Sequence, residues 1–325
     1  MEIAKNHPFA QTESSFGISE KLQDIICKIG QSQVFEEGEA LLLELLGISV
    51  SGKQIQRVSE YYGQQIEEQQ SSYIEGGTPA PMLKNKDETV YVMADGSMVY
   101  TREEGWKEMK VGRIFSDKDC IPIQENRKKI VENLYVCHLG EHHEFFSKLE
   151  YYADGYKKKV CIADGAKWIW KWAYEMYPEM LQILDYFHAV EKIGHYASQQ
   201  FPDEKVKDKW LSEQKEKLLN NGVSEVIELL EQSTSTNKEA EKTRIDAIRY
   251  YQNNKERMQY KTYKDAGYLI GSGAIEAAHR DVVQQRLKLS GQRLSKKGAQ
   301  QIVNLRAYKK SNRWKEVVNI IKKAA

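Results

Sequence analysis

Apolar positions recur at helical spacing over the first quarter of the chain. Leu22, Ile25, Ile26 and Ile29 follow Ser19, a residue type that caps helix N-termini. Val34, Leu41, Leu42, Leu43, Leu45 and Leu46 form a second stretch, which stops at Gly47. Ser51 then opens a third, with Ile55, Val58, Tyr61 and Tyr62. Two short helices joined by a glycine-containing turn fit a helix-turn-helix, and they fit any αα-hairpin equally. Periodicity fades over residues 64–87, where Gly76-Gly77 with Pro79 and Pro81 predicts a linker over 76–87.

From Glu88 the pattern turns to strands. TVYVMADGSMVYTR, WKEMKVGRIFS and KIVENLYVCHLG are rich in β-branched and aromatic residues and predict a three-stranded antiparallel meander, with a turn-like Asp-Gly inside the first. A helix is expected near 141–153, around Phe145, Phe146, Leu149 and Tyr152. KKVCIADG reads as a strand, followed by a helix with Trp168, Trp170 and Trp172, then the strand of MLQILDYFH and a helix through Ile193 and Tyr196. Residues 203–265 are charged and helix-favouring, which reads as a helical insertion. KKGAQQIVNLRAYKK and WKEVVNIIKK predict two basic amphipathic helices at the end. The fold class is therefore α/β: a mixed sheet flanked by helices, built from 88–202 and 266–295. A helical region over 1–75 precedes it and the helices of 296–325 follow.

Bulk charge changes this picture only through its distribution. The net charge of the 325 residues is +1, yet Arg286 to Ala325 hold twelve Lys/Arg against one acid, Glu316, so that segment carries +11 and the remainder −10. Such asymmetry points the basic end at a polyanion. No stretch approaches the roughly 20 apolar residues of a membrane span, and the N-terminal residues lack a signal-peptide layout. Cys27, Cys120, Cys137 and Cys161 lie far apart, as reduced cytosolic thiols do, which predicts a cytoplasmic protein.

Three acids stand out. Asp95 and Asp164 each follow an apolar run and an alanine, and each precedes glycine. An acid at the end of a buried strand sits at the sheet's rim, where clefts form, although Asp-Gly is also a plain turn signal. Glu276 stands in the first turn of a helix whose later residues are basic. A Glu there complements the helix dipole. Its spacing to Val283 and Leu287 also puts it on a common stripe, which predicts an inward side chain. Converging carboxylates repel unless cations lie between them, and Mg²⁺ prefers such oxygen ligands. Three carboxylates around two Mg²⁺ (or Mn²⁺) ions would serve phosphodiester chemistry, with the nearby basic residues holding the nucleic-acid backbone.

At these residues the chain resembles a known family. The trio in VMADGS, IADGAKWIW and GSGAIE, with LDYFH between the second and third, resembles the DDE transposases of bacterial insertion sequences, closest to the ISKra-type group related to Mutator-like transposases. QRLKLSGQRLSKKGAQQIVNLR resembles that group's C-terminal signature, and the likeness covers roughly residues 40–315. The resemblance implies a ribonuclease-H-like fold. It implies a metal-binding catalytic triad of Asp95, Asp164 and Glu276, and Mg²⁺-dependent DNA cleavage and strand transfer. It also implies double-stranded DNA partners (terminal inverted repeats and target) and a homo-oligomer on paired ends, nucleoid-associated when bound. His188 of Asp185-Tyr186-Phe187-His188 matches the family's Asp-x-x-His element, beside the triad, though a satisfied core histidine fits the pattern as well. Lys53, Gln54 and Arg57 are expected to read DNA ends, and Arg280, Arg286, Lys288, Arg293, Lys296 and Lys297 to hold the DNA backbone. Two features depart from the family: the chain shows no cysteine-rich zinc-binding sequence near its N-terminus, and Leu294 stands where an aromatic is usual.

Other readings compete. A ribonuclease-H-like nuclease or resolvase would share the acids. A retired or domesticated transposase would keep DNA binding alone. GSGAIE lacks the third glycine of a dinucleotide-binding turn. His138, His142 and His143 lack a companion ligand for zinc and read as surface or loop residues. Trp168 and Trp172 read as core.

Overall fold

Residues 16–81, 85–124 and 127–324 are described by the computed structural model. The first helices begin where their caps predict. Ser19 Oγ accepts from Leu22 N–H (3.3 Å) at the start of α1 (Glu20–Gly30). Gly47, in the left-handed conformation at φ 64°, closes α2 (Phe35–Leu46). Ser51 caps α3, which runs over Gly52–Glu75. The third helix is thus much longer than the sequence pattern predicts. Its buried stripe continues past residue 63 through Ile66 and Gln70, and Gln70 donates to Tyr152 Oη at 3.3 Å. A buried glutamine with a partner is invisible to an apolar pattern.

The strands follow: β1 (Thr89–Thr101), β2 (Gly105–Ser116), β3 (Cys120–Gln124), β4 (Arg127–Ile130) and β5 (Leu134–Leu139), then β6 (Lys158–Ala163) and β7 (Leu181–Leu184). Five form one mixed sheet in the order β5-β2-β1-β6-β7. β2 and β5 pair antiparallel, with Val111 opposite Cys137, and β6 and β7 pair parallel, with Ile162 opposite Ile183. The expected meander is therefore present. Asp95-Gly96 makes no turn, because β1 passes straight through it. β3 and β4 form a separate two-stranded hairpin that the sequence reading did not anticipate.

The helices after β5 are α4 (His142–Ala153), α5 (Lys167–Met176) and α6 (Tyr186–Gln200), then α7 (Glu204–Leu219), α8 (Val223–Gln232), α9 (Lys238–Asn254) and α10 (Tyr260–Asp265). The last four fill the stretch read as a helical insertion. Next come α11 (Gly273–Ala278), a π-helical turn over His279–Gln284, and α12 (Gln285–Leu287). α13 (Lys296–Lys310) and α14 (Trp314–Ala324) close the chain. Among the described residues no helix is long and apolar enough to cross a membrane.

Two compact units result. One comprises the described residues to Val90, Asp95–Lys157 and those from Ile275 on; the other comprises Tyr91–Ala94 and Lys158–Ala274. The first unit is centred on α13. This helix is not amphipathic as predicted: every residue from Gly298 to Tyr308 is buried. Its polar residues are matched instead of exposed. Gln300 accepts from Leu139 N–H (2.7 Å) and donates to the Cys137 carbonyl (3.2 Å), while Asn304 donates to the Gly63 carbonyl (3.1 Å). Gly63 permits the crossing with α3, since a Cβ there would stand 2.2 Å from the Gln301 carbonyl oxygen. α14 does keep one buried face, through Val317, Ile320 and Ile321.

The second unit packs α6 on α9 through tyrosines. Tyr251 donates its hydroxyl to the Ala189 carbonyl at 2.6 Å. Tyr186 and Tyr260 meet edge-to-face at 5.2 Å. Trp172 is buried, as expected, and Trp170 is buried beneath the Arg257 guanidinium (4.8 Å).

Candidate functional site

In the second unit, Asp164 is the first residue after β6 and Asp185 the first after β7, which places both at strand C-terminal ends. Asp164 Oδ1 accepts from Ala166 N–H (3.0 Å), and its carbonyl accepts from the Tyr250 hydroxyl (2.6 Å). The following residue must be glycine. Gly165 sits at φ 103°, and a Cβ on it would lie 2.8 Å from the Tyr250 ring. The half-buried Asp164 carboxylate is thus held by a turn that a tyrosine from α9 clamps.

Asp185 is fully buried and bonded on both oxygens. Oδ1 accepts from His188 N–H (2.8 Å), capping α6, and Oδ2 accepts from Ser272 N–H. His188 Nδ1 stands 3.5 Å from Oδ1. Burial would raise the Asp185 carboxyl, but the bonds from His188 and Ser272 outweigh it and hold the carboxyl below its ordinary value. The nearby Asp185 carboxylate pushes the His188 imidazole up to about 9 against a smaller burial effect, with Asp164 and Glu191 adding attraction. The Asp185 carboxylate thus favours the protonated ring, and the His188 side chain is half-buried. From sequence Asp185 is only part of a motif; that its second oxygen is matched by Ser272, far off along the chain, is visible only in the fold. Ser272 in turn immediately precedes α11, the helix that carries Glu276.

In the first unit, Asp95 is half-exposed in β1 and its Oδ2 lies 3.3 Å from His279 Nε2. The sequence reading missed His279. A usable signal was present, because His279 follows Glu276 at Glu-x-x-His spacing. Glu276 itself corrects the sequence reading: its side chain is exposed, whereas Val283 and Leu287 are buried. The buried stripe instead runs through Ile275, Ala278, His279 and Val282, which leaves Glu276 at its edge. Among the described residues, neither Asp164 nor Glu276 has a Lys or Arg ion-pair partner.

The expected DNA-binding residues divide sharply. Arg286 is fully buried, which removes it from any phosphate contact. Its Nε donates to the Gly30 carbonyl at the end of α1 (3.1 Å), its guanidinium covers the Phe35 ring (4.7 Å), and burial with nearby Arg306 pushes it down to about 10. Lys296 is exposed but pairs with Glu104 (2.9 Å). Arg280 is exposed beside Asp281. Lys53, Gln54 and Arg57 at the start of α3 share one groove, of about 600 Å³, with Lys297 at the start of α13. Lys288 and Arg293 line a separate cleft at the β1–β2 hairpin.

His138 is also corrected. It lies buried in β5, where burial and the Lys148 charge hold its imidazole down to about 4, with Glu144 Oε2 at 2.6 Å. His142 and His143 are exposed, and all four cysteines are free thiols. The chain matches no protein-family model and no curated protein sequence.

Proposed function

We propose that this chain is a Mg²⁺-dependent DNA transposase with a ribonuclease-H-like core. The strand order supports the fold: an antiparallel meander that continues into two parallel strands, β5-β2-β1-β6-β7, is what that reading expects. The observation that carries the function is the placement of the acids. Asp95 stands in β1, Asp164 at the end of the neighbouring strand β6, and Glu276 in the first turn of α11. On this reading these three would hold two divalent ions. When bound, such ions lower the pKa of an attacking water or 3′-hydroxyl and steady the leaving oxygen.

The chain's own residues do the rest. His279 orients the Asp95 carboxylate. Tyr250 and Gly165 fix the turn that presents Asp164. The imidazolium of His188, kept charged by Asp185, offers a cation to a DNA phosphate. Lys53, Arg57 and Lys297 line a groove that accepts a phosphate backbone, with Gln54 available to base edges.

The test is cleavage and strand transfer on a supercoiled plasmid carrying the element's ends, with Mg²⁺ or Mn²⁺. Metal-dependent nicking abolished by each of Asp95→Ala, Asp164→Ala and Glu276→Ala is the expected result. Nicking that ignores the end sequences would favour a nuclease. Specific binding without cutting by the unaltered protein would favour a retired, DNA-binding copy.

A further inference from the structure

The hairpin joining β1 to β2 carries a surface that neither the acids nor the α3 groove uses. Met98 and Tyr100 alternate with the buried Val99 and Thr101, so they face outward, 46% and 37% exposed, and Trp106 beyond the turn is 63% exposed. The Trp106 ring meets Tyr100 edge-on at 5.6 Å. The segment after α12 forms the other wall. There the Arg293 guanidinium stands 5.8 Å from the Tyr100 ring centre, and the Lys288 ammonium reaches the Ser97 hydroxyl. The cleft between the walls measures about 610 Å³, and no acid lines it. Both walls belong to the first unit.

The cleft is built, not accidental. Arg102 N–H donates to the Leu294 carbonyl at 3.0 Å, and Leu294 pairs with Thr101 in a short parallel bridge. Lys296 N–H donates to Glu103 at 2.8 Å. Two segments some 190 residues apart in sequence are thereby locked together around the exposed rings. Single exposed aromatics are ordinary, but a contiguous apolar cleft marks a binding surface.

Its chemistry selects the occupant. Flat rings flanked by two cations suit a planar π system that carries negative charge beside it, which describes a nucleobase on its phosphate chain. A base inside a duplex already stacks on its neighbours and cannot present a face. We propose that the Tyr100–Trp106 cleft holds an unpaired nucleobase of the DNA strand, with Arg293 and Lys288 on the adjoining phosphates. The inference rests on the DNA-acting reading above and adds a substrate feature to it: strand separation beside the sites of chemistry.

The experiment uses the full chain and two labelled probes, a fully paired duplex and the same duplex with a short unpaired thymine bulge. Affinity is read by fluorescence anisotropy. The bulged probe should bind more tightly. Trp106→Ala should weaken bulge binding about fivefold or more and leave the paired probe unchanged, while Trp106→Phe keeps most of the preference. Because Trp106 is largely exposed, its removal should not unfold the chain, and a thermal melt of the variant checks this. Equal affinity for both probes overturns the inference, as does a bulge preference that survives Trp106→Ala. Self-association abolished by Trp106→Ala with DNA binding untouched would make the cleft a contact between copies. Salt-dependent duplex binding with no bulge preference sinks only the stacking proposal, whereas failure of every DNA probe sinks the functional reading with it.

Discussion

His279 Nε2 lies 3.3 Å from Asp95 Oδ2, with the imidazole 5% exposed and the carboxylate 36% exposed. The buried ring stands against a half-exposed acid, the position an outer partner would take if Asp95 held a metal. His279 opens the π turn that follows α11, so the turn's departure from α-helical register and the ring's position arise together. His279→Ala should therefore weaken Mn²⁺ binding, read by calorimetry, and cleavage by about 10–100-fold, with duplex affinity in the absence of metal unchanged. A matching loss of duplex affinity would give His279 a structural role only.

Arg286 makes the opposite case. A cationic residue in a basic segment invites assignment to DNA, yet its side chain is interior and bonded to the end of α1. Arg306 performs the same service nearby, donating to the Gln31 carbonyl at 2.6 Å and the Val282 carbonyl at 2.7 Å. Arg286→Ala removes packing against Phe35 and leaves a carbonyl unmatched. It should cost about 3 kcal/mol of stability in denaturant unfolding and leave the DNA affinity of the folded fraction unchanged. A selective loss of DNA binding with unaltered stability would contradict the buried placement.

The α3–α13 groove gives the complementary prediction. Lys53, Arg57 and Lys297 are exposed and share one concavity. If each neutralises a phosphate, replacing all three by alanine should flatten the plot of log affinity against log salt by about 2–3. The single variant Gln54→Ala should change sequence preference more than salt dependence. A salt slope that survives the triple variant would place the backbone contact elsewhere.

The sequence made legible whatever depended on local chemistry. Ser19 and Ser51 mark helix starts, Gly47 marks a stop, and the alternating strands produce the meander because each of these is decided within a few residues. What stayed hidden depends on distant partners. α13 reads as a surface helix until Gln300, Gln301 and Asn304 find β5 and α3. Arg286 reads as a phosphate ligand until Gly30 and Phe35 enclose it. Glu276 reads as inward from its spacing to Val283 and Leu287, but the stripe that packs inward is centred on Ile275, Ala278 and Val282 and leaves it exposed. The same limit applied to chemistry: Asp95 and Asp164 could be named from their flanks and His279 from its spacing to Glu276, whereas Tyr250 and Ser272 could not, since their partners lie far off along the chain.

The Asp185–His188 pair ties stability to pH with a definite sign. The folded value for His188, about 9, lies above the ordinary 6.5, chiefly because the Asp185 carboxylate stands beside its ring, with Asp164 and Glu191 adding attraction. Folding therefore favours the protonated ring. Its stabilising effect is complete below about 6.5 and declines as pH rises towards the folded value of about 9. Stability measured by denaturant unfolding should fall across that window in the unaltered protein. Asp185→Asn retains a side chain able to cap α6 but removes the charge, so the His188 resonance, followed by NMR, should titrate much nearer 6.5 and the decline across that window should shrink. A His188 resonance already titrating near 6.5 in the unaltered protein would mean that the ring is neutral in the cell. It would then offer a phosphate a neutral hydrogen bond in place of a charge.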